Sequence, residues 1–373
     1  MLATTSDPAA LGQISPRILI AGDWRWPHHE AALEAGFRDL GWDVIRFVQP
    51  SAEDRLGVMG AKLRLGPALG PVNHRFLELV GETRPDIVFL QRCDLILPRS
   101  IRAVRDVSPR SLVFLFHNDE PFVGLRDRLK WRHLLGSLKY ADATFVFRPA
   151  NVGMARGLGA AVVEILPPYY VRSLHVPQEP SSDDRDYDVV FIGHYEDDWR
   201  AAALERLAGS GLRVGLFGTG WEETPAEFPW IRSQEARAVY GEEYRSALAS
   251  GKLALVFLSR LNHDVWTTRC FEIPACAVAM LAPDNPSLRG YFGDAEAIYY
   301  RDGDIDSLVE AAHRASDDPG VWRSVAQAGW ERCKKDGHSE LDRARQIAAT
   351  WSRITSSRKA GSRAELDGRS GGE

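Results

Sequence analysis

Between Leu258 and Pro283 the chain crowds Asn262, His263, Asp264, Arg269 and Glu272 just ahead of an apolar run from Ala275 to Leu281. Charges gathered at the end of an element are costly to bury unless they are paired or bound to a ligand. The run is short and bounded by Pro274 and Pro283, which reads as a helix end feeding a buried strand. Asp264 and Glu272 are eight positions apart, about two helical turns, so both carboxylates are expected on one side of a helix. Arg269 falls one turn before Glu272, on a neighbouring face. Two acceptors for hydroxyls beside one cation for phosphate suit a sugar nucleotide.

Further groups could share in such chemistry. Gly193-His194 follows an apolar strand pattern and precedes a helical one; a glycine there lets backbone N–H groups approach a phosphate, and a helix start adds partial positive charge. Gly218 and Gly220 lie in GLFGTGW, where the dinucleotide fingerprint fails because its third glycine would fall on Glu223. His117 ends another strand pattern and leads into Asn118-Asp119-Glu120-Pro121. There it could hydrogen-bond a bound ligand, with Asp119 binding a hydroxyl or serving as general base. His28 and His29 point in alternating directions and have no evident third ligand. In Asp302-Gly303-Asp304-Ile305-Asp306, Asp304 or Asp306 reads as a helix cap rather than a metal ligand. No metal site is therefore expected.

The elements that must position these residues follow from periodicity. Arg17–Ala21, a helix over about His29–Leu40 with Gly41 behind it, and Trp42–Phe47 make a βαβ opening. Strand patterns recur at Asp86–Leu90, Ser111–Phe116, Ala143–Phe147 and Ala161–Leu166, and again at Tyr187–Ile192, Leu212–Phe217, Leu253–Phe257 and Ile298–Tyr300. Between the two series, Val176–Asp186 (VPQEPSSDDRD) lacks an apolar pattern after its first residue and reads as a linker. The expected organisation is a disordered tail over 1–16, a Rossmann-like domain over 17–175 and the linker over 176–186. A second Rossmann-like domain over 187–335, a final helix over 336–353 and a disordered tail over 354–373 complete it. The fold class is α/β, with two doubly wound domains and a ligand cleft at the carboxyl ends of their strands.

Composition narrows the function. With 373 residues and 45% hydrophobic content the chain suits two globular domains. A formal net charge of -5 argues against nucleic acid as the partner. The four cysteines show no metal-ligand spacing, and reduced thiols in a cytoplasmic protein are the simplest reading. There is no export signal pattern and no run of 18 apolar residues, so a membrane-spanning protein is not expected. Peripheral contact with a membrane stays compatible with the sequence.

The motif Arg269-Cys-Phe-Glu272-Ile-Pro-Ala275-Cys, followed by a strand, Pro283 and Gly290-Tyr-Phe, resembles the donor-site signature of CgeB-like bacterial glycosyltransferases. Asp264-x7-Glu272 is similar to the E-x7-E motif of the broader retaining GT-B glycosyltransferases, with Asp in place of the first Glu. The resemblance runs over roughly 190–350 and includes Gly193 to Arg200, the strand end at Gly218 and Gly220, and His338 to Arg343. It implies a GT-B architecture, a last helix that returns to the first domain, and a nucleotide-diphosphate sugar as donor substrate with no cofactor required. Gly193, His194, Arg200, Gly218, Gly220, Arg269 and Glu272 would then hold the donor. Glu272 would accept from ribose hydroxyls, Arg269 would neutralise the diphosphate, and Asp264 would contact the transferred sugar. The reaction implied is metal-independent transfer, retaining at the sugar, to a glycan, protein or small-molecule acceptor. A sugar-nucleotide epimerase of the same fold and a non-catalytic nucleotide-sugar-binding protein are the alternatives.

Overall fold

The computed structural model describes residues 15–50, 65–67, 69–178 and 185–370, the last ten by their backbone alone. Residues 1–14 and 179–184, which include most of the expected N-terminal tail and half of the expected linker, lie outside the described residues. The chain forms two compact units, Met1–Leu166 with Ala344–Glu373, and Pro167–Arg343.

In the first unit, strands β1 (Arg17–Gly22), β2 (Asp43–Val48), β3 (Ile87–Gln91), β4 (Leu112–His117), β5 (Ala143–Val146) and β6 (Val163–Ile165) form one sheet in the order β2-β1-β3-β4-β5-β6. Every pairing is parallel. Parallel strands need crossovers, supplied here by α1 (Glu30–Asp39), α2 (Leu69–Thr83), α3 (Pro98–Val107), α4 (Leu125–Lys130), α5 (Arg132–Ser137) and α6 (Asn151–Gly157). Strands covered on both faces must be apolar throughout. Accordingly β3 and β4 are buried at every residue. Phe76, Phe89, Phe114 and Phe145 have no exposed surface or about 1%. Each such side chain contributes about 1.5–3 kcal/mol through burial.

The second unit holds β7 (Tyr187–Ile192), β8 (Val214–Phe217), β9 (Gly251–Leu255), β10 (Ala279–Pro283) and β11 (Ile298–Tyr300) in the order β11-β10-β9-β7-β8, again all parallel. Its helices are α7 (Arg200–Gly209), α8 (Pro229–Arg232), α9 (Gly241–Ala249), α10 (Arg269–Ala275), α11 (Pro286–Arg289), α12 (Ile305–Ser316) and α13 (Pro319–Lys335). The α/β class with two doubly wound sheets is as the periodicity predicts. In each sheet the order reverses beside the first strand, between β1 and β3 and between β7 and β9. Those reversals are where such sheets leave room for a ligand.

The last helix, α14 (Glu340–Ser370), starts in the second unit and from Ala344 belongs to the first. There Trp351 meets the edge of Trp42, with ring centroids 5.2 Å apart, and Gln346 donates to the carbonyl of Ile165 at 2.8 Å. The helix runs past Arg353, where sequence reading ends the ordered chain. Arg, Lys, Ala and Glu in this stretch are good helix formers.

Candidate functional site

A cavity of about 270 Å³ opens at the switch point of the second sheet, where β7 and β9 end. Ile192, Gly193, His194, Asn262, Asp264 and Arg269 are among its lining residues. The sequence-predicted Gly193, His194, Arg200, Asp264 and Arg269 all reach this wall. Gly218, Gly220 and Glu272 do not line it.

The loop after β7 is tied down by Arg200. Its Nε and one terminal nitrogen donate to the two oxygens of Asp198 at 2.9 and 3.0 Å, and the other terminal nitrogen donates to the carbonyl of His194 at 3.1 Å. Glu196 lies 3.0 Å from the same guanidinium. Only 4% of the side chain is exposed. Arg200 is thus committed to holding residues 194–199 rather than presented as an open phosphate ligand. His194, by contrast, is exposed and lies 3.1 Å from Glu196.

Gly193 and Gly218 are where two loops meet. The amide of Gly193 donates to the carbonyl of Phe217 at 2.9 Å, and its own carbonyl accepts from the indole of Trp221 at 2.9 Å. Gly218 has φ +137, and a Cβ there would stand 1.8 Å from the carbonyl oxygen of Gly193. Gly220 has φ +81, but a Cβ would find nothing closer than 3.4 Å. Gly218→Ala is therefore expected to cost about 3 kcal/mol and Gly220→Ala only about 1 kcal/mol. Urea unfolding followed by tryptophan fluorescence checks the ranking; equal costs would remove the role given to the Gly193 contact.

The loop after β9 differs from the sequence expectation. Asp264 and Glu272 do not share a helix face, because α10 begins only at Arg269. His263 sits in the left-handed region (φ 51), the amide of Asp264 donates to the carbonyl of Ser259 at 3.0 Å, and the Thr267 hydroxyl accepts from the Arg269 amide at 3.1 Å. Short polar and β-branched residues satisfy their backbone locally and compete with helix. Asp264 reaches the cavity from this loop instead.

Glu272 lies behind the cavity wall, 3% exposed. One of its oxygens accepts from the Tyr244 hydroxyl at 3.0 Å and from Arg269, and the other lies 3.8 Å from Nε2 of His175. Nδ1 of His175 accepts from the amide of Val171 at 2.9 Å. Burial pushes the Tyr244 hydroxyl far above its ordinary range, which keeps it a donor. Arg269 also donates through Nε to the carbonyl of Ile192 at 3.2 Å and lies over the Tyr244 ring at 4.8 Å. Held at three points, it still leaves 37% of its side chain exposed. Its spacing to Glu272 was legible in the sequence. Tyr244 and His175, which complete the clamp, were not, since neither stands in a motif.

In the first unit, His117 and Asp119 end β4. His117 is 6% exposed, its Nδ1 accepts from the Asp119 amide at 3.0 Å, and its ring meets Trp131 edge-on at 4.0 Å. Nε2 is buried without a partner. Burial pushes its pKa down to about 3, so the ring is neutral. Asp119 pairs with Arg92 at 3.1 Å.

Sequence reading missed Glu30. It stands in the first turn of α1, where an acidic residue is ordinary, yet it is 1% exposed and its Oε2 has no partner. Its carboxyl lies over Gly22, so closely that a Cβ there would meet Oε1 at 2.1 Å. Burial raises its pKa to about 7.

Asp304 caps α12, its carboxylate accepting from the Ser307 amide at 2.9 Å. Among the described residues no group of three or more His, Cys, Asp or Glu is placed to hold a metal ion. None of the described helices is long and apolar enough to cross a membrane.

Residues 199–349 match a family described as glycosyl transferase-like. No curated protein sequence gave a significant match. Among solved structures, sucrose-phosphate synthase from Thermosynechococcus elongatus is 14% identical with a TM-score of 0.64, over 92% of this chain and 100% of that one. α,α-Trehalose 6-phosphate synthase from Burkholderia multivorans is 12% identical with a TM-score of 0.62, over 93% and 98%. HepE of Anabaena, solved in complex with UDP and glucose, is 12% identical with a TM-score of 0.61, over 91% and 100%. At these identities the likeness shows the fold, which is GT-B.

Proposed function

We propose that this chain is a glycosyltransferase of the CgeB-like type, taking its sugar from a nucleotide-diphosphate donor held in the cavity between β7 and β9. The observation that carries the reading is Arg269, clamped at three points yet partly exposed on the wall of a cavity that also presents Asp264, Asn262 and the Gly193 backbone. As the bond between the anomeric carbon and the diphosphate breaks, negative charge grows on the leaving oxygen. A fixed guanidinium stabilises that charge without reorganising at the moment of reaction. Asp264 accepts from hydroxyls of the transferred sugar. The acceptor hydroxyl bonds to the anomeric carbon and passes its proton to the departing diphosphate oxygen, and the resemblance of Asp264-x7-Glu272 to the retaining motif favours retention. Glu272 acts here through Arg269 rather than on the ribose, which places Tyr244 and His175 among the positioning residues. A cytoplasmic enzyme that needs no metal is part of the same reading.

The test is a thermal-shift panel of UDP, GDP, dTDP and CDP against the wild type and Arg269→Gln. A diphosphate at about 100 times its dissociation constant stabilises by about 2.7 kcal/mol. One of the four is expected to raise the melting temperature of the wild type and not of the variant. If none does, with or without magnesium, the donor reading fails. Nucleotide release from the matching sugar nucleotide that depends on an added acceptor then separates transfer from epimerisation and from simple binding.

A further inference from the structure

We infer that α4, with the residue pair before it, is a docking face for an anionic lipid bilayer. Helix α4 buries none of its residues. Leu125 is 87% exposed, Leu129 53% and Val123 38%, in a chain whose other apolar side chains mostly lie inside. At about 100° per residue, Leu125 and Leu129 project within about 40° of one another. Arg128 then falls on one flank of the leucines, Arg126 and Lys130 on the other, and Asp127, the helix's single acid, on the opposite face. Exposed leucines between two rows of cations, with the acid turned away, is the arrangement of a helix lying in a membrane interface. The chain as a whole carries a formal charge of -5, so the positive sign here is local.

The face is anchored rather than loose. Trp131, next in the chain, is 4% exposed, Leu134 is 8% exposed, and Arg132 donates to the Leu129 carbonyl at 2.9 Å. The ammonium of Lys130 lies 4.5 Å over the Trp131 ring. Three exposed apolar side chains are too few for a protein partner, whose stable interfaces bury about 800 Å² a side. They suffice for insertion at the headgroup boundary, where the flanking arginines and lysine meet phosphates.

The experiment is co-sedimentation of the full chain with vesicles of equimolar phosphatidylcholine and phosphatidylglycerol, and with phosphatidylcholine alone. Two variants go beside the wild type: Leu125→Glu with Leu129→Glu, and Arg126→Gln with Arg128→Gln and Lys130→Gln. All five side chains are exposed, and unchanged melting temperatures establish that both variants fold. The wild type is expected to bind the anionic vesicles and not the neutral ones, with binding that weakens as salt rises. The leucine variant is expected to lose at least about tenfold in partitioning, and the charge variant about fivefold for each cation removed. Failure of the wild type to bind anionic vesicles overturns the inference, as does binding that either variant leaves unchanged. So does concentration-dependent dimerisation that the leucine variant abolishes, since a second copy would then be the occupant.

Discussion

Arg269→Ala is expected to lose about 10²–10³-fold in kcat for acceptor-dependent nucleotide release and, separately, about 3–5 kcal/mol of stability. The first loss follows from the place of the guanidinium on the cavity wall, where charge grows on the leaving diphosphate. Because that interaction strengthens as the bond breaks, the loss should appear in kcat and not in KM alone. The second loss follows from what Arg269 leaves behind. The Glu272 side chain is only 4% exposed, and Arg269 is the cation bonded to the same oxygen that accepts from the Tyr244 hydroxyl. Taking the bonded cation from a buried carboxylate is among the costlier single changes a protein can suffer. The two losses are separable by a second substitution. Arg269→Ala with Glu272→Ala removes the stranded charge, so the double variant should be more stable than Arg269→Ala alone while remaining as slow. Urea unfolding and steady-state kinetics on the wild type, both singles and the double complete the cycle. If the double is no more stable than the single, Glu272 does not depend on Arg269, and the clamp described for the site is wrong. If the stability pattern holds and kcat is unchanged, the clamp stands and the role on the diphosphate does not.

The sequence carried the architecture well because parallel strands covered on both faces must be apolar almost throughout, and crossovers between them must be helical. It carried the site less well. Arg269 and Glu272 were legible as neighbours one turn apart, but sequence reading gave them separate roles on diphosphate and ribose, and their pairing comes only from the structure. The step from there to Asp264 on the same helix failed, since Ser259, His263 and Thr267 bind their backbone locally and delay the helix to Arg269. By resemblance Arg200 would hold the donor, but four residues after Glu196 and two after Asp198 it has acids of its own within reach. Whether such an arginine turns outward or folds its own loop is decided by side-chain geometry that spacing does not encode. The same holds for Glu30, where only the backbone of Gly22 pressed against the carboxyl distinguishes a buried acid from an ordinary first-turn glutamate. Tyr244 and His175 reach Glu272 from a different helix and from the segment before β7, contacts of long sequence separation that no local pattern signals.

Stability against pH is expected to fall at both ends of the range, through two buried groups of the first unit that pull in opposite directions. Burial holds the pKa of Glu30 at about 7 against an ordinary value of 4.5. The folded state therefore keeps a proton that the unfolded chain releases, so the contribution of Glu30 is complete below 4.5 and lost as pH rises through 7. At 1.36 kcal/mol per unit that is about 3 kcal/mol. His117 behaves conversely, its pKa pushed by burial from 6.5 to about 3. The unfolded chain takes up a proton that the folded state refuses, so stability is complete above 6.5 and lost as pH falls, about 3 kcal/mol of it by pH 4. Between 4.5 and 6.5 the two slopes cancel and leave a flat maximum. Glu30→Gln presents a neutral group of the same shape, so it should match the wild type below pH 4.5 and exceed it by about 3 kcal/mol at pH 8. His117→Asn keeps an acceptor for the Asp119 amide, and relative to its own value at pH 7 it should gain about 3 kcal/mol on the wild type at pH 4. Urea unfolding of the three proteins at pH 4, 5.5, 7 and 8 measures both limbs. A Glu30→Gln difference that is the same at pH 5.5 and pH 8 would mean that the carboxylate is ionised throughout and that its buried oxygen is satisfied. The alkaline limb would then have to come from another group, and Gly22 would be shaped by the loop it opens rather than by the acid it carries.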